Sequence, residues 1–338
     1  MYAMNSAMKS FIYILQLCLL IILVGCTRTK IRIIEEAEET IEISLQEKRL
    51  SQELLMPAKM FMYGDDLIVY HCEGDTLFSI FGNPISGEYI NAGIKGRGPN
   101  EFMNVDIRSI IGSDEGFVCM DAGGLKKEVA IDNNVLTVRS SSKIDTQMHP
   151  QNGIFVDGGY LSMNVVNDAS EFILYRYDGK APDYLSDYPG WTADNEEMKA
   201  FTYLKHVVRH PAENKTVSLY AKFRKLRILD VNKGNTIEID VRIQDNFRRY
   251  IPYDKENHIA YGSYPCVSED NIYALCFNSP FDSDILPEIH VFDWEGNLEK
   301  RILLDTYIDI FVIDAANDIL YGINTNHADT LYYQYLGN

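Results

Sequence analysis

The chemistry-bearing motifs that usually give an enzyme away are missing from this chain. Its six cysteines include no CxxC pair and no zinc-ligand spacing, so neither a zinc ribbon nor a thioredoxin-type redox motif is present. There is no HExxH, no GxSxG nucleophile elbow and no GxxxxGK[ST] phosphate loop. Positive charge is scarce: 31 Lys and Arg stand against 49 Asp and Glu, a formal net charge of −18. Such a chain repels phosphate and has few cations with which to release counterions, which excludes nucleic acid as a partner. The same acidity argues against docking on an anionic leaflet. Helical periodicity is nearly absent beyond residue 55, and only "NEEMKAFTYLKH" (195–206) reads as a helix. His206 and His210 in "HVVRH" fall on a strand reading, where their spacing leaves them about 13 Å apart. No metal and no cofactor is expected.

One long apolar run is present, at the N-terminus. Lys9 precedes "FIYILQLCLLIILV", and Leu23–Cys26 read "LVGC". A basic n-region, an apolar core and small residues before a cysteine make a secretory signal, whose end resembles the lipobox of bacterial lipoproteins. The run is short for a membrane span. Residues 1–25 are therefore expected to be removed and Cys26 to be lipidated. Each buried acyl methylene contributes roughly 0.8 kcal/mol, so several chains make a lasting membrane anchor. Loss of Lys9, the only charged residue of 1–25, takes the net charge from −18 to −19. Residues 26–38 read as the lipidated N-terminus and an acidic tether, and 39–338 as one domain. Thr27 is not the aspartate associated with inner-membrane retention, and the acids of "EEAEE" (35–39) come well after the cysteine. That pattern predicts an outer-membrane lipoprotein facing the periplasm.

Beyond residue 55 the chain is rich in Tyr, Ile, Val and Phe, punctuated by Gly, Asp and Asn. A strand, a tight polar turn and a second strand recur six times, with second strands beginning near Leu67, Phe117, Tyr160, Thr216, Ile272 and Ile319. The spacing is that of a four-stranded propeller blade, about 40–50 residues. A third strand, a turn and a fourth strand complete each unit except the last, which stops at "TLYYQYLGN". The strand "ETIEISL" (39–45) is unassigned and would close the sixth blade, removing an open edge. The fold class predicted is all-β: a six-bladed β-propeller with four-stranded blades, closed by an N-terminal strand in the last blade.

In this register the glycine-rich stretch "GIKGRGPNEF" (93–102) is the crossing from the first blade's outer strand to the second blade's inner strand. Its glycine-rich run ending in GPxEF resembles the signature of the TolB-like six-bladed propeller lipoproteins of Bacteroidetes, and the resemblance extends over most of the mature chain. It implies fold and envelope location; it brings no catalytic residue with it.

Loops on a rigid scaffold are where binding concentrates. In a propeller the crossings and the second-to-third-strand loops share one face around the channel mouth. The candidate binding residues there are Arg97, Asn100 and Glu101 in the crossing, Lys222, Arg224 and Lys225 in the basic cluster "KFRKLR", and Asp282 and Asp284 in "NSPFDSD". The basic cluster reads either as a contact for an anionic group or as a cluster neutralised by acids of neighbouring blades. Arg97 and Glu101 read equally as ties between two blades. Asp282 and Asp284 form a D-x-D loop without the further ligands and glycine of a calcium site. Cys266 and Cys276 flank a turn and are either bridged in an oxidising compartment or buried thiols. No residue is assigned a catalytic role. The functional expectation is an exported, lipid-anchored, non-enzymatic binding or scaffold module for a protein, peptide or glycan ligand. The alternative is an exported hydrolase or lactonase-like propeller with its site at the channel mouth.

Overall fold

The computed structural model describes residues 29–113, 116–132, 135–144, 152–165, 170–191, 199–243, 247–248, 250–251, 254, 256–280 and 285–337. Cys26 lies outside them, as do Asp282 and Asp284. The chain opens with three short strands, β1 (Lys30–Ile34), β2 (Glu39–Ile43) and β3 (Gln46–Arg49). Four antiparallel strands follow as blade I: β4 (Pro57–Tyr63), β5 (Asp66–His71), β6 (Thr76–Phe81) and β7 (Ile90–Ile94). Blade II is β8 (Asp106–Ser113), β9 (Gly116–Asp121), β10 (Leu125–Asp132) and β11 (Val135–Lys143). Blade III is β12 (Gly153–Val156), β13 (Gly159–Met163), β14 (Ser170–Arg176) and β15 (Asp183–Asp187). Blade IV is β16 (Lys205–Arg209), β17 (Lys215–Tyr220), β18 (Lys225–Asp230) and β19 (Thr236–Val241). After β20 (His258–Ile259), blade V comprises β21 (Cys266–Val267), β22 (Asn271–Cys276), β24 (Glu288–Asp293) and β25 (Leu298–Leu304), while β23 (Ser279–Pro280) pairs with β20. Blade VI has β26 (Ile310–Asp314), β27 (Ile319–Ile323) and β28 (Thr330–Tyr335). This is the expected six-bladed propeller, and every second strand begins within one residue of its predicted start.

The sixth blade is closed by an N-terminal strand, but not by the one expected. Its partner is β3, antiparallel to β28 with Lys48 opposite Leu331. The segment 39–45 instead supplies β2, a fifth strand lying parallel to β25 on blade V. The apolar alternation of Ile41, Ile43 and Leu45 correctly marks a strand facing a core, but that core lies between blades V and VI. The closing strand QEKR is charged and carries no apolar signal, as suits an outermost edge. β1 differs from expectation too. Residues 30–34, read as tether, pair in parallel with β19 along the outside of blade IV.

The predicted helix is cut short. Within 199–206 a four-residue helix, α1 (Lys199–Thr202), gives way to β16, because the β-branched "HVVR" completes the inner edge of blade IV against β17.

Between neighbouring blades the inward faces form apolar clusters. Among the described residues, the cluster between blades II and III has only four fully buried members, Met120, Ile144, Phe155 and Tyr160. The other interfaces carry eight or more, such as Phe61, Phe78, Phe102 and Phe117 between blades I and II. Among the described residues, apolar packing is thinnest where blade II meets blade III.

Candidate functional site

The crossing after blade I is built around Glu101. Its carboxylate accepts from the Gly98 amide at 2.6 Å, and its carbonyl accepts from Lys127 Nζ on β10. A Cβ at Gly96 would sit 2.1 Å from that carboxylate, and one at Gly93, which holds φ +70°, would sit 2.5 Å from the Phe78 ring. Both positions need glycine because the chain doubles back against these groups. Phe102 then buries its ring on Phe78 at 5.6 Å. Glu101 thus holds the crossing in shape. Arg97 and Asn100 are exposed and make no hydrogen bond or ion pair to a described residue.

The basic cluster is consumed inside the protein. Arg224 is buried, donates from Nε to Asn278 Oδ1 at 3.0 Å and lies 4.5 Å from the Phe247 ring. Lys225 pairs with Asp240 at 3.0 Å and stacks over Trp191. Lys222 lies 4.0 Å from the Phe201 ring centre. "KFRKLR" therefore reads in the structure as a seam within blade IV and not as an anion cradle. Its last residue, Arg227, belongs to a buried hub between blades III and IV. There Glu171 on β14 pairs with Arg227 at 2.6 Å and Lys205 at 2.9 Å, and accepts from Tyr220 Oη at 2.5 Å and Ser186 Oγ at 3.1 Å. Burial alone would raise the Glu171 carboxyl; the two cations overcome it and hold it below its usual range.

The two histidines are separately engaged. His206 packs edge-on against Tyr264 at 4.5 Å, and burial pushes its imidazole down to about 4. His210 is buried on Trp294 and accepts from the Ala212 and Glu213 amides at 3.0 Å. All four described cysteines are free thiols, and Cys266 faces Tyr273 across the hairpin, not Cys276. Cys276, Glu288 and His290 bring a sulfur, a carboxylate oxygen and a ring nitrogen within 4.8 Å of one another. Glu288 is already bound by Arg301 at 2.6 Å, Asn278 at 2.8 Å and His290 at 2.7 Å. With Arg224 on Asn278 as well, this network carries two guanidiniums that oppose a dication.

A cavity of about 400 Å³ opens on the crossing face at blade II, lined by Asn104–Arg108, Met120–Gly124 and Asn152. It sits where the apolar packing is thinnest. The β9–β10 turn "DAGGLKK", placed at the channel mouth by the sequence, forms one wall. Asp121 organises that wall. Its carboxylate accepts from the amides of Met103, Asn104 and Ala122 and pairs with Lys127 at 2.7 Å.

The opposite wall is an irregular stretch of β8. The register with β9 shifts between Asp106 and Ile111. Ser109 Oγ substitutes for the lost ladder, donating to the Asp106 carbonyl at 2.6 Å and accepting from the Met120 amide at 2.7 Å. Lys59 from β4 donates to the Ile107 and Ile110 carbonyls at 3.1 and 3.0 Å. Its burial, opposed by Asp106, lowers the ammonium to about 8. A bulge of this kind re-aims a side chain, and the one it presents to the cavity is Arg108.

None of the candidate residues taken from the sequence lines this cavity. Sequence reasoning missed Asp106, Arg108 and Asn152. The signal was available: "VDIRSI" puts two charges at i and i+2 on an inner strand, where blades III and VI carry "GIFV" and "IFVI".

The architecture recurs in known structures. A Bacteroides fragilis protein described as exported is 11% identical, with 91% of this chain and 100% of that one covered at a TM-score of 0.53. A member of the DUF4221 family from Bacteroides vulgatus is 8% identical, with 86% and 95% covered at a TM-score of 0.54. At such identities the likeness shows the fold alone. Comparison with curated proteins finds no match. The model of the TolB-like 6-blade propeller-like family matches residues 35–316, and the chain belongs to that family.

Proposed function

We propose that this protein is an exported, lipid-anchored binding module of the cell envelope that holds a small ligand in the cavity on the crossing face of blade II. The observation that carries this reading is the cavity itself. It lies at the blade interface with the fewest buried apolar residues among those described, is walled by side chains fixed through Asp121 and Lys59, and faces the side of the ring where propeller loops converge. Pockets with a few fixed polar groups in an otherwise packed scaffold are the usual form of a ligand site. A non-enzymatic role fits the lining. Asp106 and Asp121 are both tied up by internal donors, and no nucleophile stands beside a base among the described lining residues. Export is supported by the signal-like N-terminus.

The test is to isolate the mature protein from envelope fractions and examine it by native mass spectrometry, beside Ala122→Trp, which fills the cavity. Wild-type protein should carry a small-molecule mass that Ala122→Trp lacks. An identical spectrum for the two proteins would refute the site.

A further inference from the structure

The cavity's polar groups are unequally satisfied, and the inequality identifies what they are suited to bind. Asp106 accepts from Tyr160 Oη at 3.0 Å, from the Gly153 amide at 3.2 Å and from the Arg108 amide at 3.1 Å. Asp121 is neutralised by Lys127 and three amides. Arg108 is different. Its Nη1 donates to Asn152 Oδ1 at 3.2 Å and stands 4.0 Å from Asp106 Oδ1, beyond hydrogen-bonding distance. Among the described residues its Nε is buried without an acceptor and its Nη2 has no partner. A buried donor left unmet is costly, so a native structure that keeps one calls for an explanation.

Charge points the same way. Beside the cavity stand two cations, Lys59 and Arg108, against one carboxylate not already neutralised by a lysine, Asp106, whose nearest cation is Arg108 Nη1 at 4.0 Å; His206 is held neutral by burial and by the guanidinium. This is a local positive excess in a protein of net charge −18.

Building on the cavity as a ligand site, we infer that its ligand is a small organic carboxylate, anchored by the guanidinium of Arg108. The carboxylate accepts from Nη2 and, after a small rotation of the side chain, from Nε, in the two-pronged geometry that guanidinium and carboxylate share. A tetrahedral phosphate fits less well. It carries more negative charge, and of the two cations Lys59 is spent on the Ile107 and Ile110 carbonyls, so Arg108 alone, with Asp106 beside it, would have to offset that charge. Asn104 and Asn152 at the rim are suited to polar groups elsewhere on the ligand.

Met120 is both buried and part of the lining, so its methyl group reports occupancy directly. Mature protein labelled with [13C-methyl]methionine would be titrated with succinate, with its neutral diamide succinamide and with inorganic phosphate, the Met120 resonance being assigned through Met120→Leu. Succinate should shift it saturably. Succinamide and Arg108→Gln should each weaken the effect about ten- to a hundredfold, the value of a charge-assisted pair. Arg108→Lys, which keeps the charge and loses the fork, should fall between. Equal binding of succinate and succinamide, tighter binding of phosphate, or no succinate-dependent shift would each overturn the carboxylate assignment. Equal binding would leave the cavity standing as a ligand site, whereas an Ala122→Trp mass spectrum identical to wild type removes the site itself.

Discussion

Glu171 is the side chain whose loss should be felt most. Its carboxylate is 1% exposed and holds Lys205 Nζ, 3% exposed, and Arg227 Nη1, 6% exposed, across the joint between blades III and IV. Glu171→Gln keeps the shape and removes the charge. Two cations then stay buried; Lys205 is left with the faces of Phe172, Tyr188 and Tyr220, and Arg227 with Glu238 at 3.9 Å and the Asp187 carbonyl. Breaking a buried pair by removing one partner costs about 3–5 kcal/mol, because the survivor stays desolvated. The drop should appear as a lower midpoint in urea unfolding at unchanged slope. If uncompensated charge is the cause, removing the second charge should help. Glu171→Gln combined with Lys205→Met should recover about 1 kcal/mol or more relative to the single change, a coupling typical of groups in one network. A single-mutant loss below about 1 kcal/mol, or a double mutant that is simply worse, would refute the reasoning.

Three further outcomes are expected. Deleting residues 46–49 should open blade VI and cause aggregation or a large loss of thermal stability, while a chain starting at residue 35, without β1, should melt near the wild-type temperature; the reverse order would mean the ring is closed elsewhere. Acid should unfold the protein in two steps, read as urea midpoints between pH 7 and pH 3. His206 stays neutral to about 4 while the unfolded chain takes up its proton near 6.5, so its share is lost as pH falls from about 6.5 to 4. Glu288 is held at about 2 against 4.5, so its stabilisation, on the order of 3 kcal/mol, is present above 4.5 and lost below it; His206→Asn should shrink the first step, which His71 and His290 share because burial lowers them too, and leave the second unchanged. Finally, Cys26→Ser should leave unprocessed precursor without palmitate labelling, and protease added to intact cells should spare the propeller until the outer membrane is permeabilised; labelling of the mutant, or degradation in intact cells, would contradict the anchor or its orientation.

The propeller was legible because each blade repeats the same physical needs: an apolar alternation, then a turn of Gly, Asp or Asn. That pattern located every second strand and the crossing after blade I. It misplaced the closing strand because Gln46–Arg49 is an exposed edge with nothing to bury. It missed the cavity for a related reason. Arg108 and Asn152 meet only when β8 bulges, and the bulge is held by Lys59, a residue of another blade. "KFRKLR" left two readings open in the sequence, an anion contact or a cluster neutralised by acids from elsewhere, because those acids, Glu171, Glu238 and Asp240, come from other strands and one from another blade. Local sequence shows which groups are charged, while the fold decides which of them remain unspent.

The N-terminal strands have a consequence for when this protein can become native. β1, β2 and β3 rest against β19, β25 and β28, so the first described strands wait for partners about 200 to 290 residues further along the chain. Lys48 meets Leu331 only after nearly everything has been synthesised. Such non-local pairing makes folding slow and exposes an unclosed edge while it is pending. In the export proposed above, the delay would be useful: a chain crossing a narrow pore N-terminus first could not seat β3, and so could not close blade VI, until the last blade had followed it across.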